Sequence, residues 1–261
     1  MTERQYVKVS KEDRVSIVTI DNPPVNMISR PVVADLQSAL EEVWADDDIK
    51  VVVITGGGQM AFIAGADINA ILGLKSPAEA KQIVTQVHEL FQRIENSPKP
   101  IVAAINGHCL GAGIELAMAC HMRIANNRAM FGQPEIGLGI IPGFGGTQRL
   151  PRLVGKAKAL ELILTGDRIT GAEAASIGLV NKAVPGTEVM KAAVGLAKKI
   201  ASFGRPAITA ALESVAQGLR VTLEEGLDIE ADKFASLVET EDMREGLSAF
   251  LEKRQPKFQD R

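Results

Sequence analysis

Two acidic residues stand where a carboxylate is costly unless it has a task or a partner. Glu115 lies in Leu110-Gly-Ala-Gly-Ile-Glu-Leu-Ala-Met-Ala119, a run of small and apolar residues that turns into a helix. Glu135 lies between Gln133-Pro134 and the run Ile136-Gly-Leu-Gly-Ile-Ile-Pro142. Two carboxylates in a dry site can divide acid and base duties between them. The plainer alternative gives both only local hydrogen bonds that hold loops.

Glycine turns beside these acids suggest a second half to the chemistry. Phe62-Ile-Ala-Gly-Ala-Asp-Ile68 and Gly111-Ala-Gly113 each follow a strand-like segment and precede helical sequence. Two such turns at neighbouring strand ends can aim backbone N–H groups at one point, forming an oxyanion hole. Asp67 also reads as the N-cap of a short helix beginning at Ile68. Gly65 and Gly113 also read as ordinary turn glycines. Two amide donors, two carboxylates and no histidine obviously in reach suit proton transfer next to a carbonyl. Nucleotide chemistry fits less well. No Gly-x-x-x-x-Gly-Lys-Ser/Thr loop occurs, and Pro142 stands where a third glycine should follow Gly137-x-Gly139.

The elements that must position these residues alternate strand and helix. Residues 5–20 read as two strands with a turn at Lys11–Arg14. A helix follows over 30–46, with Ser29 as its candidate N-cap. Lys50–Thr55 and Ile101–Ile105 are continuous apolar strands of the kind buried on both faces, and a helix over 76–96 separates them. Such an α/β alternation places ligands where strands end in glycine loops. After Gly143 the pattern is mostly helical, near 145–153, 156–164, 171–176, 187–201, 206–218, 221–237 and 240–253, with a short strand at 179–184. The acids of the late helices, such as Glu224-Glu225, read as a solvated face.

Composition narrows the class. With 261 residues, 46% of them hydrophobic, the chain can bury one large core. A net charge of -3 and only 4% aromatics argue against a nucleic-acid partner. Cys109 and Cys120 both lie in apolar surroundings and read as buried free thiols, with no Cys-x-x-Cys or histidine cluster to suggest zinc. The N-terminus has no apolar signal core and no run approaches a membrane span, so a soluble, cytoplasmic protein is expected, with no membrane partner.

The segments Asn22-Pro-Pro-Val-Asn26, Ala61–Ile68, Pro100–Gly107, Gly111–Ala119, Phe131–Ile136, Ile141–Leu150, Leu164-Thr-Gly166, Ala175–Val180 and Glu245–Lys253 are collinear and cover nearly the whole chain. Together they resemble the crotonase (enoyl-CoA hydratase/isomerase) superfamily, and its enoyl-CoA hydratases in particular. The resemblance implies a spiral of ββα turns over 1–200 and a C-terminal helical region over 201–261 that assembles homotrimers or homohexamers. It implies an acyl-CoA thioester substrate and no metal or redox cofactor, coenzyme A arriving with the substrate. Glu115 and Glu135 match the catalytic glutamates, and the amides of Ala66 and Ala112 match the oxyanion hole. Ala64 and Ile68 would border the adenine and pantetheine path, and Lys253 would help bind the coenzyme A phosphates, of its own or a neighbouring subunit's site, with Phe250 near the same channel. Gly65, Asp67, Gly111, Pro142 and Gly143 complete the implied substrate-binding set.

Three positions depart from the pattern. Ala112 replaces the usual glycine, adding a methyl group beside the hole at a position where a positive φ would be strained. His121 stands where members often have Asp, and a structural role is expected. Asn69 replaces a frequent lysine, removing one expected phosphate contact. Retention of both acids favours hydration over double-bond isomerisation, which generally needs only the carboxylate at Glu135, and over a non-catalytic coenzyme A-binding scaffold.

Overall fold

The computed structural model describes residues 4–261. The chain opens with the antiparallel pair β1 (Val7–Glu12) and β2 (Val15–Ile20), then α1 (Arg30–Ala45). One pattern then repeats. β3 (Val51–Gly56) and β4 (Ala61–Ala64) lead to α2 (Ile68–Leu72) and α3 (Pro77–Glu95). β5 (Ile101–Ile105) and β6 (His108–Leu110) lead to α4 (Ala112–Ala119). β7 (Met122–Asn126) and β8 (Met130–Gly132) lead to a 3-10 helix over Pro134–Leu138, then α5 (Gly146–Val154) and α6 (Lys156–Thr165). β9 (Arg168–Thr170), α7 (Gly171–Ser176) and β10 (Lys182–Val184) complete the sheets. α8 (Val189–Ala201), α9 (Arg205–Gly218), α10 (Leu223–Leu237) and α11 (Glu241–Leu251) end the chain.

In each repeat the first strand joins a six-stranded sheet, β1-β2-β3-β5-β7-β10, and the second joins a four-stranded sheet, β4-β6-β8-β9. Beyond the first hairpin the large sheet is parallel, and the small one is parallel except for β8–β9. This is an α/β spiral of ββα turns. The unbroken apolar run of β3 reflects burial on both faces. Val52 and Ile54 enter the core shared with α1, α3 and α4, while Val51 and Val53 pack on the side of α8.

Several sequence expectations need correction. The residue pattern by itself shows neither the small sheet nor β7. The strand at 179–184 shortens to β10, and the helix at 187–201 begins at Val189 after a 3-10 turn over Gly186–Glu188. Ser29 occupies the N-cap of α1 but its side chain makes no capping bond, and Pro31 in the first turn has no N–H to be capped. Asp67 does cap α2, accepting from the amides of Asn69 and Ala70. His121 is structural: its Nδ1 accepts from the Ile101 amide at 2.9 Å, and burial pushes its pKa down to about 4. Both cysteines are buried free thiols.

The 200/201 boundary falls at the end of α8. Beyond it, α10 buries no residue within this chain. Leu219, Leu223, Leu227 and Phe234 are exposed there. Among the described residues no helix is long and apolar enough to cross a membrane.

Candidate active site

β4 and β6 are parallel neighbours, and their last residues, Ala64 and Leu110, are register partners. Ala66 and Ala112 therefore lie two residues beyond adjacent strand ends. Each turn is made by glycine at positive φ: Gly65 at +113° and Gly111 at +51°. Ala112 itself is not among the positive-φ residues, so its methyl group brings no backbone strain. Ala112 is the first residue of α4, where an N–H has no intrahelical acceptor. No described residue accepts from the amide of Ala66 or Ala112.

Every residue of α4 is buried. The small residues let it sit directly on β4, and a Cβ at Gly113 would run into the Ile63 carbonyl. Gly113 is thus a close-packing glycine inside the helix, not a turn glycine. Glu115 is carried into the interior on this helix and is 1% exposed. Its Oε1 accepts from the amides of Phe144 at 2.8 Å and Gly146 at 2.7 Å. Gly146 begins α5, so the carboxylate also meets a helix N-terminus. Burial dominates nonetheless. Together with the charge of Glu135 it outweighs the two amides and Arg149, and the Glu115 pKa is pushed up to about 7.

Glu135 arrives from the 3-10 helix. Its Oε2 is buried without a partner, and burial raises its pKa. A Cβ on Gly111 would lie 2.6 Å from its Oε1, so the turn that frees the Ala112 amide also makes room for this carboxylate. Gln133, close by, is fully buried against Gly146 with neither carboxamide atom bonded to a described residue.

Glu115, Glu135, Ala66, Ala112, Asp67, Pro142 and Gly143 line one cavity of about 1330 Å³. Ala70, Ile71, Leu74 and Phe144 contribute to its mostly apolar wall. Gly65 and Gly111 shape the backbone beside it. Ala64 and Ile68 do not line it, although they flank residues that do. Phe250 is 80% exposed, Lys253 is exposed as well, and neither lines the cavity of this chain. Sequence reasoning missed His88, whose ring does line it and whose Nε2 lies 2.8 Å from the Gly143 carbonyl. Its only sequence signal was a histidine on the buried stripe of α3. Among the described residues, no three His, Cys, Asp or Glu side chains converge as a metal site.

The profile of the enoyl-CoA hydratase/isomerase family matches residues 10–261. The chain belongs to that family. It is 44% identical over 253 residues to a probable enoyl-CoA hydratase of Bacillus subtilis, covering 97% of this chain and 98% of the relative. It is 41% identical over 255 residues to a crotonyl-CoA hydratase of Syntrophomonas wolfei, covering 97% and 98%. The crystal structure of an enoyl-CoA hydratase from Bacillus anthracis superposes with a TM-score of 0.94 at 38% identity, covering 98% of this chain and all of that one. The family match takes in both glutamates, both turn segments and the C-terminal helices.

Proposed function

We propose that this chain is an enoyl-CoA hydratase, adding water across the α,β double bond of an enoyl-CoA thioester to give a 3-hydroxyacyl-CoA. The observation that carries the reading is the convergence of two carboxylates and two open amide positions on one largely apolar cavity. In this reading the amides of Ala66 and Ala112 hold the thioester oxygen as it gains charge. Glu115 orients a water molecule and takes its proton as the oxygen bonds to the β-carbon. Glu135 gives a proton to the α-carbon. Burial raises both carboxyls, Glu115 to about 7, so near neutrality Glu115 can both take up and release a proton. The step transfers protons and no electrons, so it needs no redox cofactor.

Glu115 favours hydration over isomerisation. Moving a double bond needs one shuttling carboxylate, whereas Glu115 is a second one, fixed by two amides. The exposed apolar side chains of α9–α11 support assembly into homotrimers or homohexamers. In such an assembly Phe250 and Lys253 would meet the coenzyme A of a neighbouring copy.

Mixing the protein with a short enoyl-CoA and following conjugated-thioester absorbance tests the reading. Loss of absorbance with a 3-hydroxyacyl product supports hydration. A shifted double bond without incorporated water supports isomerisation. Binding with no chemistry supports a scaffold.

A further inference from the structure

The two amides that hold Glu115 belong to the loop 143–146, and one face of α3 holds that loop from the other side. His88, Phe91 and Glu95 recur at i, i+3 and i+7, the spacing of a single helical face. His88 Nε2 lies 2.8 Å from the Gly143 carbonyl, which can only accept, so this ring nitrogen carries a proton and donates. The next atom group of the same peptide unit, the Phe144 N–H, donates to Glu115 Oε1 at 2.8 Å. A single peptide thus links the imidazole to the carboxylate, and hydrogen bonds in such a chain polarise one another. The Phe144 ring meets Phe91 edge to face, with centroids 6.3 Å apart. Arg149 Nη1 donates to the Phe144 carbonyl at 3.2 Å, and its Nη2 pairs with Glu95 at 3.0 Å. A Cβ on Gly145 would run into this guanidinium, so the loop is built to let Arg149 fold across it.

We propose that His88 is a positioning residue for Glu115, acting through the Gly143–Phe144 peptide, with the Arg149–Glu95 pair as the second point at which α3 fixes the loop. This rests on the hydratase reading. Other charged groups also face this region. Glu135 comes from the 3-10 helix, and Asp67 from the start of α2. Arg30, Glu89 and Arg93 line the same cavity, Arg93 being paired with Glu41. Of the strands against α4, β4 brings no titratable side chain. β6 brings buried Cys109 and His108, whose Nδ1 accepts from the Met130 amide.

The test is the pH profile of kcat/KM for hydration, with thermal melting of each variant alongside. His88→Leu removes the donor. It is expected to lower kcat about tenfold with KM nearly unchanged, and to move the acid limb up by roughly half a pH unit as the Phe144 amide loses polarisation. His88→Gln can place an amide N–H near the position of Nε2 and is expected to recover most of both effects. A purely structural histidine would lower the melting temperature without moving the limb. An unmoved limb in His88→Leu, or a His88→Gln as impaired as His88→Leu, overturns the proposal. If His88→Leu does not fold, His88→Asn, whose shorter carboxamide does not reach the Gly143 carbonyl, provides the same test with the same expected shift. Absence of hydration by the unaltered protein would instead defeat the hydratase reading.

Discussion

Glu115 and Glu135 face one cavity from two different kinds of backbone. Glu115 rides on an α-helix buried along its whole length and has two amides on one oxygen. Glu135 sits on a five-residue 3-10 helix with one oxygen unpartnered and a glycine turn against the other. The first is fixed in one orientation by two amides, although burial still raises its pKa to about 7. The second keeps one oxygen without a partner, and burial raises its pKa as well. Orienting a water molecule calls for the first arrangement, while proton delivery to carbon calls for a carboxyl oxygen free to reach the substrate.

The largest expected effect comes from removing either acid. Glu115→Gln and Glu135→Gln should each cut hydration about 10²–10⁴-fold while leaving the circular dichroism spectrum unchanged. Near-normal turnover in either variant would remove that residue from the chemistry.

A smaller effect should show the two sites acting on each other. Gly111→Ala places a methyl group at positive φ and against Glu135, so it should cost about 1–3 kcal/mol of stability. Activity should fall as well, and because the Glu135 charge helps raise the Glu115 pKa, pushing Glu135 away should move the Glu115 acid limb down. An unmoved limb would mean that the two carboxylates do not feel each other.

Stability against pH sharpens the same contrast. Glu115 has a pKa raised to about 7 in the folded state, from an ordinary value of 4.5. The stability associated with its neutral form is therefore present below the unfolded value and lost as pH rises through about 7. Glu115→Gln should be more stable than the parent at pH 8 by about 1–3 kcal/mol, and the gain should vanish in acid. Denaturant melts at the two pH values would show this, and equal gains at both would contradict it. His121 works with the opposite sign: its pKa is depressed to about 4, so its contribution is lost as pH falls from about 6.5 towards 4.

The smallest expected difference lies between two candidate caps. Asp67→Ala should cost about 1 kcal/mol and Ser29→Ala less than about 0.5 kcal/mol, because only Asp67 caps with its side chain. Equal losses in chemical denaturation would show that the Ser29 hydroxyl contributes after all.

The large sheet and the site were not equally legible in the sequence. β3 and β5 announce themselves because four and five consecutive apolar residues, respectively, are buried on both faces. β6, β8 and β9 have three residues each, too few for any alternation to register, and strand neighbours distant in sequence define them. Yet that small sheet is what sets Ala66 beside Ala112. Glu115 and Glu135 were legible because an acid among glycine and apolar residues is costly. The role of the Phe144 and Gly146 amides was not, since a backbone N–H leaves no mark in a sequence. His88 was hidden for a related reason: its partner is a backbone carbonyl 55 residues away.

Exchange of the α-hydrogens of a saturated acyl-CoA with deuterium oxide tests the division of labour most directly, because exchange needs the α-carbon acid–base and no water addition. Glu115→Gln is expected to retain exchange while losing hydration, and Glu135→Gln to lose both. Exchange that survives in Glu135→Gln, or disappears only in Glu115→Gln, would contradict the assignment of the two carboxylates.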